Sequence, residues 1–285
     1  MTYEKMLPSH KSFPQLLKKI QGPPKQLFWT GNDLSLLMEQ PRLAIVGSRK
    51  VSPYGKQVTL QLARELAGYG VVIVSGLALG VDALAHRGAL EAGGKTIAVL
   101  PCSLDAIYPA SHNALARQIV DNGGTLISEY APDTPFLFKY NFVARNRLIS
   151  GLSNAVLITE AAKRSGSLHT ATFALEQGRD VLVVPGNIDS PTSVGTNNLI
   201  KIGATVVTSV DDVLQVLNIK PKKAGLPRKG STPAEQTILD LLAGGIHEGN
   251  QLLVASGLTT AEFNQTITMM EILGLIKAGG ANTWY

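Results

Sequence analysis

The sequence predicts an α/β protein: a mostly parallel sheet covered by helices on both faces, followed by a small winged-helix domain. Three observations predict it. Seven short runs rich in Val, Ile and Leu recur between residues 43 and 217 without in–out alternation, which marks strands buried on both faces. Helix-length amphipathic segments separate them, and strand–helix repetition gives parallel strands joined by helical crossovers. Beyond residue 230 the pattern changes to three short helical segments and a hairpin, the layout of a winged helix.

Taken in order, residues 1–42, with Pro23, Pro24 and Pro41, are expected to form an irregular leader packed on the sheet. The domain at 43–217 then follows. Its strands are predicted at 43–46, 71–74, 96–100, 125–128, 155–158, 181–184 and 205–208. Helices are predicted at 54–69, 81–92, 113–122 and 167–177. Ser52 and Pro53 supply a cap and a first-turn proline for the first of these helices. Residues 218–230 are punctuated by Pro and Gly and hold no acidic residue, so they read as a flexible basic linker. In the last domain, 231–285, Thr232 or Ser231 caps a helix that begins near Pro233. A second helix surrounds 251–256, a third spans 261–273, and 276–284 form the hairpin.

Composition narrows the class. Hydrophobic residues at 45% and charged residues at 16% mark a globular chain, neither disordered nor fibrous. One cysteine, Cys102, permits no intramolecular disulfide and fits a reducing compartment. The N-terminus lacks a signal-peptide core and no apolar run approaches a membrane span, so a cytoplasmic protein is expected. The net charge of +5 is unevenly spread: residues 231–285 carry Lys277 against five acidic residues. Polyanion binding therefore belongs to the first part of the chain.

In an open parallel sheet, ligands bind beyond the carboxyl ends of the strands. Here those ends run into Gly47-Ser48-Arg49, Ser75-Gly76, Ser165-Gly166-Ser167 and Pro185-Gly186. Three of these turns open helices, whose free N–H groups and positive dipole ends would converge as an anion site. Arg49 can fork onto a phosphate. The dinucleotide fingerprint is absent. A triphosphate loop is nearly mimicked from Gly47 to Lys56, but Gln57 replaces the metal-binding hydroxyl and Pro53 interrupts it. Catalytic groups are sparse. Asp82 and His86 share a helix face without making a metal site, Glu129 and Glu160 sit in no acid–base motif, and Cys102 has no evident His partner. No cofactor or metal is expected.

The run from Lys139 to Leu152 sets Lys139, Arg145 and Arg147 around Tyr140 and Phe142. Cations beside flat rings are what single-stranded nucleic acid requires. The same run also reads as an amphipathic helix whose charges meet only water.

The chain resembles the DNA-processing protein A (DprA, also called Smf) family over residues 43 to about 217. The resemblance rests on an ordered set of motifs. These include Ile45-Val-Gly-Ser-Arg49, Ser75-Gly-Leu-Ala-Leu-Gly-Val-Asp82, Ser128-Glu-Tyr130, the run Asn141–Leu152, Arg164-Ser-Gly-Ser-Leu168 and Val184-Pro-Gly186. It departs from many members at Pro101, Ser103, Val143 and Thr172. The resemblance implies an extended Rossmann-like domain, a homodimer, and a non-enzymatic role. That role is to bind single-stranded DNA and help load the RecA recombinase during natural transformation. The family's DNA contacts fall on Arg49 of the Gly47-Ser48-Arg49 turn, Lys139, Phe142, Ser75-Gly76 and Ser165-Gly166-Ser167. Arg145 and Arg147 lie in a matched motif, with either DNA or an internal carboxylate, Glu129 or Glu160, as partner. A rival is a nucleoside-monophosphate phosphoribohydrolase, whose glycine-rich run is broken here between Gly186 and Gly195.

Overall fold

The computed structural model describes residues 3–132, 134–135, 138–220, 230–273, 275–280 and 282–284, with Phe138 and Lys139 described by backbone alone. The chain divides into two compact units, 1–220 and 221–285.

In the first unit the strands are β1 (Glu4–Met6), β2 (Leu27–Gly31), β3 (Arg42–Val46), β4 (Val72–Ser75), β5 (Thr96–Leu100), β6 (Thr125–Ser128), β7 (Ala155–Ile158), β8 (Asp180–Val183) and β9 (Thr205–Val206). The helices are α1 (Leu34–Met38), α2 (Pro53–Gly68), α3 (Val81–Glu91), α4 (Asn113–Asp121), α5 (Phe138–Gly151), α6 (Ser167–Glu176), α7 (Val194–Lys201) and α8 (Val210–Val216). The strands form one sheet in the order β1-β2-β6-β5-β4-β3-β7-β8-β9. Pairs from β6 to β9 are parallel; β1 and β2 join antiparallel.

Both faces of the central strands are buried, as the unbroken apolar runs require. Ala44 and Val46 of β3, Val156 and Ile158 of β7 and Val183 of β8 face one core, shared with Leu148 of α5 and Ala171 of α6. Leu43, Ile45, Leu157 and Leu182 face the other, against Leu62 and Leu66 of α2 and Ala85 of α3. Each large side chain so buried contributes about 1.5–3 kcal/mol, which is why the central strands hold the cleft's rim in place.

Residues 1–42 depart from the expected irregular leader. Leu27 and Phe28 are buried in β2, which pairs with β6 through Phe28–Ser128 and Gly31–Thr125 register and extends the sheet. The prolines that suggested irregularity lie outside these strands.

The second unit holds α9 (Pro233–Ala243), α10 (Gly249–Ser256), α11 (Thr260–Ile272) and the two-stranded pair β10 (Ala278–Gly280) and β11 (Thr283–Trp284). Thr232 caps α9 and Thr259 caps α11, each in a reciprocal box with a glutamate, Glu235 or Glu262. Its core centres on Ile238, Leu252, Phe263, Ile267 and Met270. Of the expected linker, 221–229 lie outside the described residues.

Candidate nucleic-acid interface

The site sits where the sheet's connectivity reverses. β3 and β7 are neighbours, yet the chain builds β4, β5 and β6 on one side of β3 before it crosses back to β7. From β3 it leaves for α2 on one face; from β7 it leaves for α6 on the other. Diverging connections open a crevice at the carboxyl ends, the usual binding place of such sheets. A cleft of about 490 Å3 lies there. Its walls are the turn Gly47–Lys50, the α5 residues Phe142, Val143, Arg145 and Asn146, and the loop Ser165–Ser167.

The turn after β3 is fixed by its own polar groups. Ser48 N donates to Glu160 O at 2.8 Å, while Ser48 Oγ donates to Lys50 O at 2.8 Å and accepts from Lys50 N at 3.1 Å. The buried Glu160 carboxylate accepts from Ser52 N at 2.9 Å, and Ser52 Oγ caps α2 by accepting from Gly55 N. Val81 N, at the start of α3, donates to Ser48 O at 3.1 Å. Gly80 makes that approach possible: its φ is +79°, and a Cβ there would strike Ser48 O. With the backbone held, the Arg49 and Lys50 side chains are left exposed at the rim.

The α5 arginines behave differently. Arg145 is 3% exposed and lies across the strand ends, donating to Gly76 O at 2.6 Å, to Val99 O, and to Asn146 Oδ1 at 3.2 Å. A Cβ at Gly76 would fall against this guanidinium and displace it. Burial pulls the Arg145 pKa down to about 10, with Asp82 opposing, so it stays charged at neutral pH. Burial likewise raises the Asp82 carboxyl, which Arg145 and the Gly76 N–H hold back. Arg147 turns away from the cleft and grips both oxygens of Glu129 at 2.7 Å.

Phe142 is 9% exposed, with Arg49 4.3 Å over its ring and Tyr108 edge-on at 5.7 Å. Its ring braces a cation at least as much as it offers a stacking face.

Of the residues expected from the sequence, Gly47, Ser48, Arg49, Phe142, Arg145, Ser165, Gly166 and Ser167 do line one cleft. Ser75 and Gly76 lie beneath it: Ser75 is fully buried with its hydroxyl on Ile45 O. Arg147 lies apart, and the Lys139 side chain falls outside the described atoms. Of the three helix starts expected to converge, those of α3 and α6 border the cleft through Ala78, Asp82, Gly166 and Ser167, while Ser52 of α2 faces elsewhere. Lys50 and Asn146 line it without having been singled out; Lys50's position next to Arg49 was the available signal.

The family model for DNA recombination-mediator protein A matches residues 4–218. Protein Smf of Escherichia coli is 47% identical over 214 residues, covering 74% of this chain and 56% of that protein. The chain thus spans little more than half of that relative's length. Among solved structures, DNA processing protein A from Streptococcus pneumoniae is 40% identical with a TM-score of 0.69, over 75% of this chain and 74% of that one. DNA processing protein A from Helicobacter pylori, whose structure concerns a unique single-stranded DNA binding mode, is 37% identical with a TM-score of 0.68, over 76% and 96%.

Proposed function

The chain belongs to the DNA recombination-mediator protein A family, and from there we propose that it binds single-stranded DNA in natural transformation and recombination, protecting incoming strands and helping to load RecA. The observation that carries the reading is the Arg49–Lys50 turn, cationic and exposed at the mouth of the switch-point cleft. The Ser165–Ser167 loop faces it with hydroxyls and the start of α6, which has no side-chain cap. Strand phosphates meet donors on both walls.

A binding role, not catalysis, is supported by how the carboxylates are used. Glu129 is paired with Arg147 and Glu160 holds the Ser52 N–H. Neither is placed as the acid or base that a phosphoribohydrolase would need. Homodimerisation, RecA contact and a cytoplasmic location belong to the same proposal. Among the described residues no helix is long and apolar enough to cross a membrane. Residues 231–285, with one lysine against five acidic residues, read as a protein-contacting module and not as a duplex reader.

A gel-shift comparing single-stranded with duplex DNA tests the proposal, with oligomeric state measured alongside. Preferential single-strand binding by a dimer is expected. Equal or stronger duplex binding would overturn it.

A further inference from the structure

A second hollow, of about 450 Å3, lies beside the cleft. One wall is Ser52 and Tyr54 at the start of α2; the other is the turn 185–193 after β8. The two hollows adjoin along the chain. Lys50 lines the cleft two residues before Ser52 lines the hollow, and Thr192 lines the cleft while Ser193 lines the hollow.

Tyr54 is 50% exposed, yet its hydroxyl donates to Pro185 O at 3.1 Å. The ring is therefore tied at its far end while half of it faces water. An aromatic ring fixed this way loses little further freedom when a flat ligand stacks on it. The facing wall is also preset. Asn197 accepts from Gly186 N at 3.2 Å and donates to Gly186 O at 3.0 Å, and Ser190 and Thr192 share a hydroxyl contact of 2.9 Å. No residue that lines the hollow is charged, and the one charged residue in the turn 185–193 is Asp189. The hollow therefore disfavours a phosphate and suits an uncharged heterocycle bordered by hydroxyl and amide groups.

We propose that this hollow is a base pocket on the single-strand path, with Tyr54 as its stacking platform. A phosphate rests on the Arg49–Lys50 turn and the neighbouring base lies on Tyr54. The inference rests on the single-strand reading of the cleft. It also supplies the exposed ring that Phe142, nearly buried under Arg49, does not.

The test is fluorescence titration of an oligothymidylate carrying a single 2-aminopurine, moved one position at a time, against the full chain and its variants. Tyr54→Ala is expected to weaken binding roughly 5- to 150-fold, the range for one lost stacked base. It should leave the salt slope unchanged, because no phosphate contact is removed. One 2-aminopurine position quenched by the wild type should brighten in Tyr54→Ala and stay quenched in Tyr54→Phe and Tyr54→Trp. If Tyr54→Phe loses as much as Tyr54→Ala, the tie to Pro185 matters and the ring does not, which overturns the inference. If Tyr54→Ala binds like wild type while Arg49→Ala is weakened, the base pocket is wrong and the cleft stands. If the wild type binds no single strand, the cleft reading fails and the pocket with it.

Discussion

Two cationic stretches border one cleft, and the fold uses them in opposite ways. In α5, Arg145 and Arg147 are drawn into the protein, one across the carbonyls of Gly76 and Val99, the other onto Glu129. In the turn after β3, Arg49 and Lys50 stay exposed. The difference comes from their neighbours. Arg145 precedes Leu148 and Ile149, which α5 must bury against the sheet, and it lies next to the strand ends whose carbonyls need donors. Arg49 and Lys50 sit in a turn whose backbone is already satisfied by Ser48 and whose exit is fixed by the Ser52 cap. Arginine content alone does not locate a nucleic-acid site; the availability of internal acceptors does.

The largest test of that contrast is Arg145→Met. It leaves two buried carbonyls without their donor and takes away the cation that offsets Asp82, and should cost about 1–3 kcal/mol for each carbonyl in urea unfolding. Adding Asp82→Asn should recover part of the loss. A cost below about 1 kcal/mol would place Arg145 with the DNA-facing group.

The same interior also holds His86, fully buried, with its ring sharing a hydrogen bond with Thr96 Oγ1 at 2.6 Å. Burial, with His112 and Arg145 adding to it, lowers its pKa to about 3 from 6.5. The unfolded chain therefore binds the extra proton first. His86 contributes its full stability above about pH 6.5, and that contribution falls toward pH 3 by at most about 1.4 kcal/mol per pH unit. Between pH 7 and 5, where few carboxylates titrate, urea midpoints should fall in the wild type and fall less in His86→Gln. Parallel curves would mean that His86 charges freely.

On the exposed side, Arg49→Ala should weaken single-strand binding by roughly 1.5–3 kcal/mol, the scale of a charge-assisted contact. Stability should change by at most about 1 kcal/mol, since the ring contact with Phe142 is exposed on the cation's side. Smallest of all, Arg147→Ala should cost about 1 kcal/mol of stability through the loss of its partly exposed pair with Glu129. Its DNA affinity should match the wild type. A selective loss of affinity would sharpen the contrast differently, restricting the buried role to Arg145.

Much of this was legible in the sequence, for physical reasons. β5, β6 and β7 begin and end where the unbroken apolar runs do, because strands buried on both faces admit no polar interruption. The strand-end turns could be read because Gly, Ser and a following Pro each have a defined task at a strand-to-helix junction. Leu27–Gly31 does not read as a strand because nearby prolines outweigh a short mixed run that pairing with β1 and β6 stabilises. Side-chain direction was likewise hidden. The run from Lys139 to Leu152 shows its arginines but not that Gly76, 69 positions from Arg145, leaves room for a guanidinium. Tyr54 could not be singled out, since its partner Pro185 lies 131 positions away.

A salt titration of single-strand affinity for the wild type, Arg49→Ala and Arg147→Ala tests most directly whether the exposed turn, and not α5, meets the strand. Arg49→Ala should bind more weakly, with a log–log salt slope shallower by about 0.7, one phosphate contact on a single strand. Arg147→Ala should overlay the wild type. An Arg49→Ala curve that overlays the wild type while Arg147→Ala flattens would mean that α5, and not the turn after β3, holds the strand.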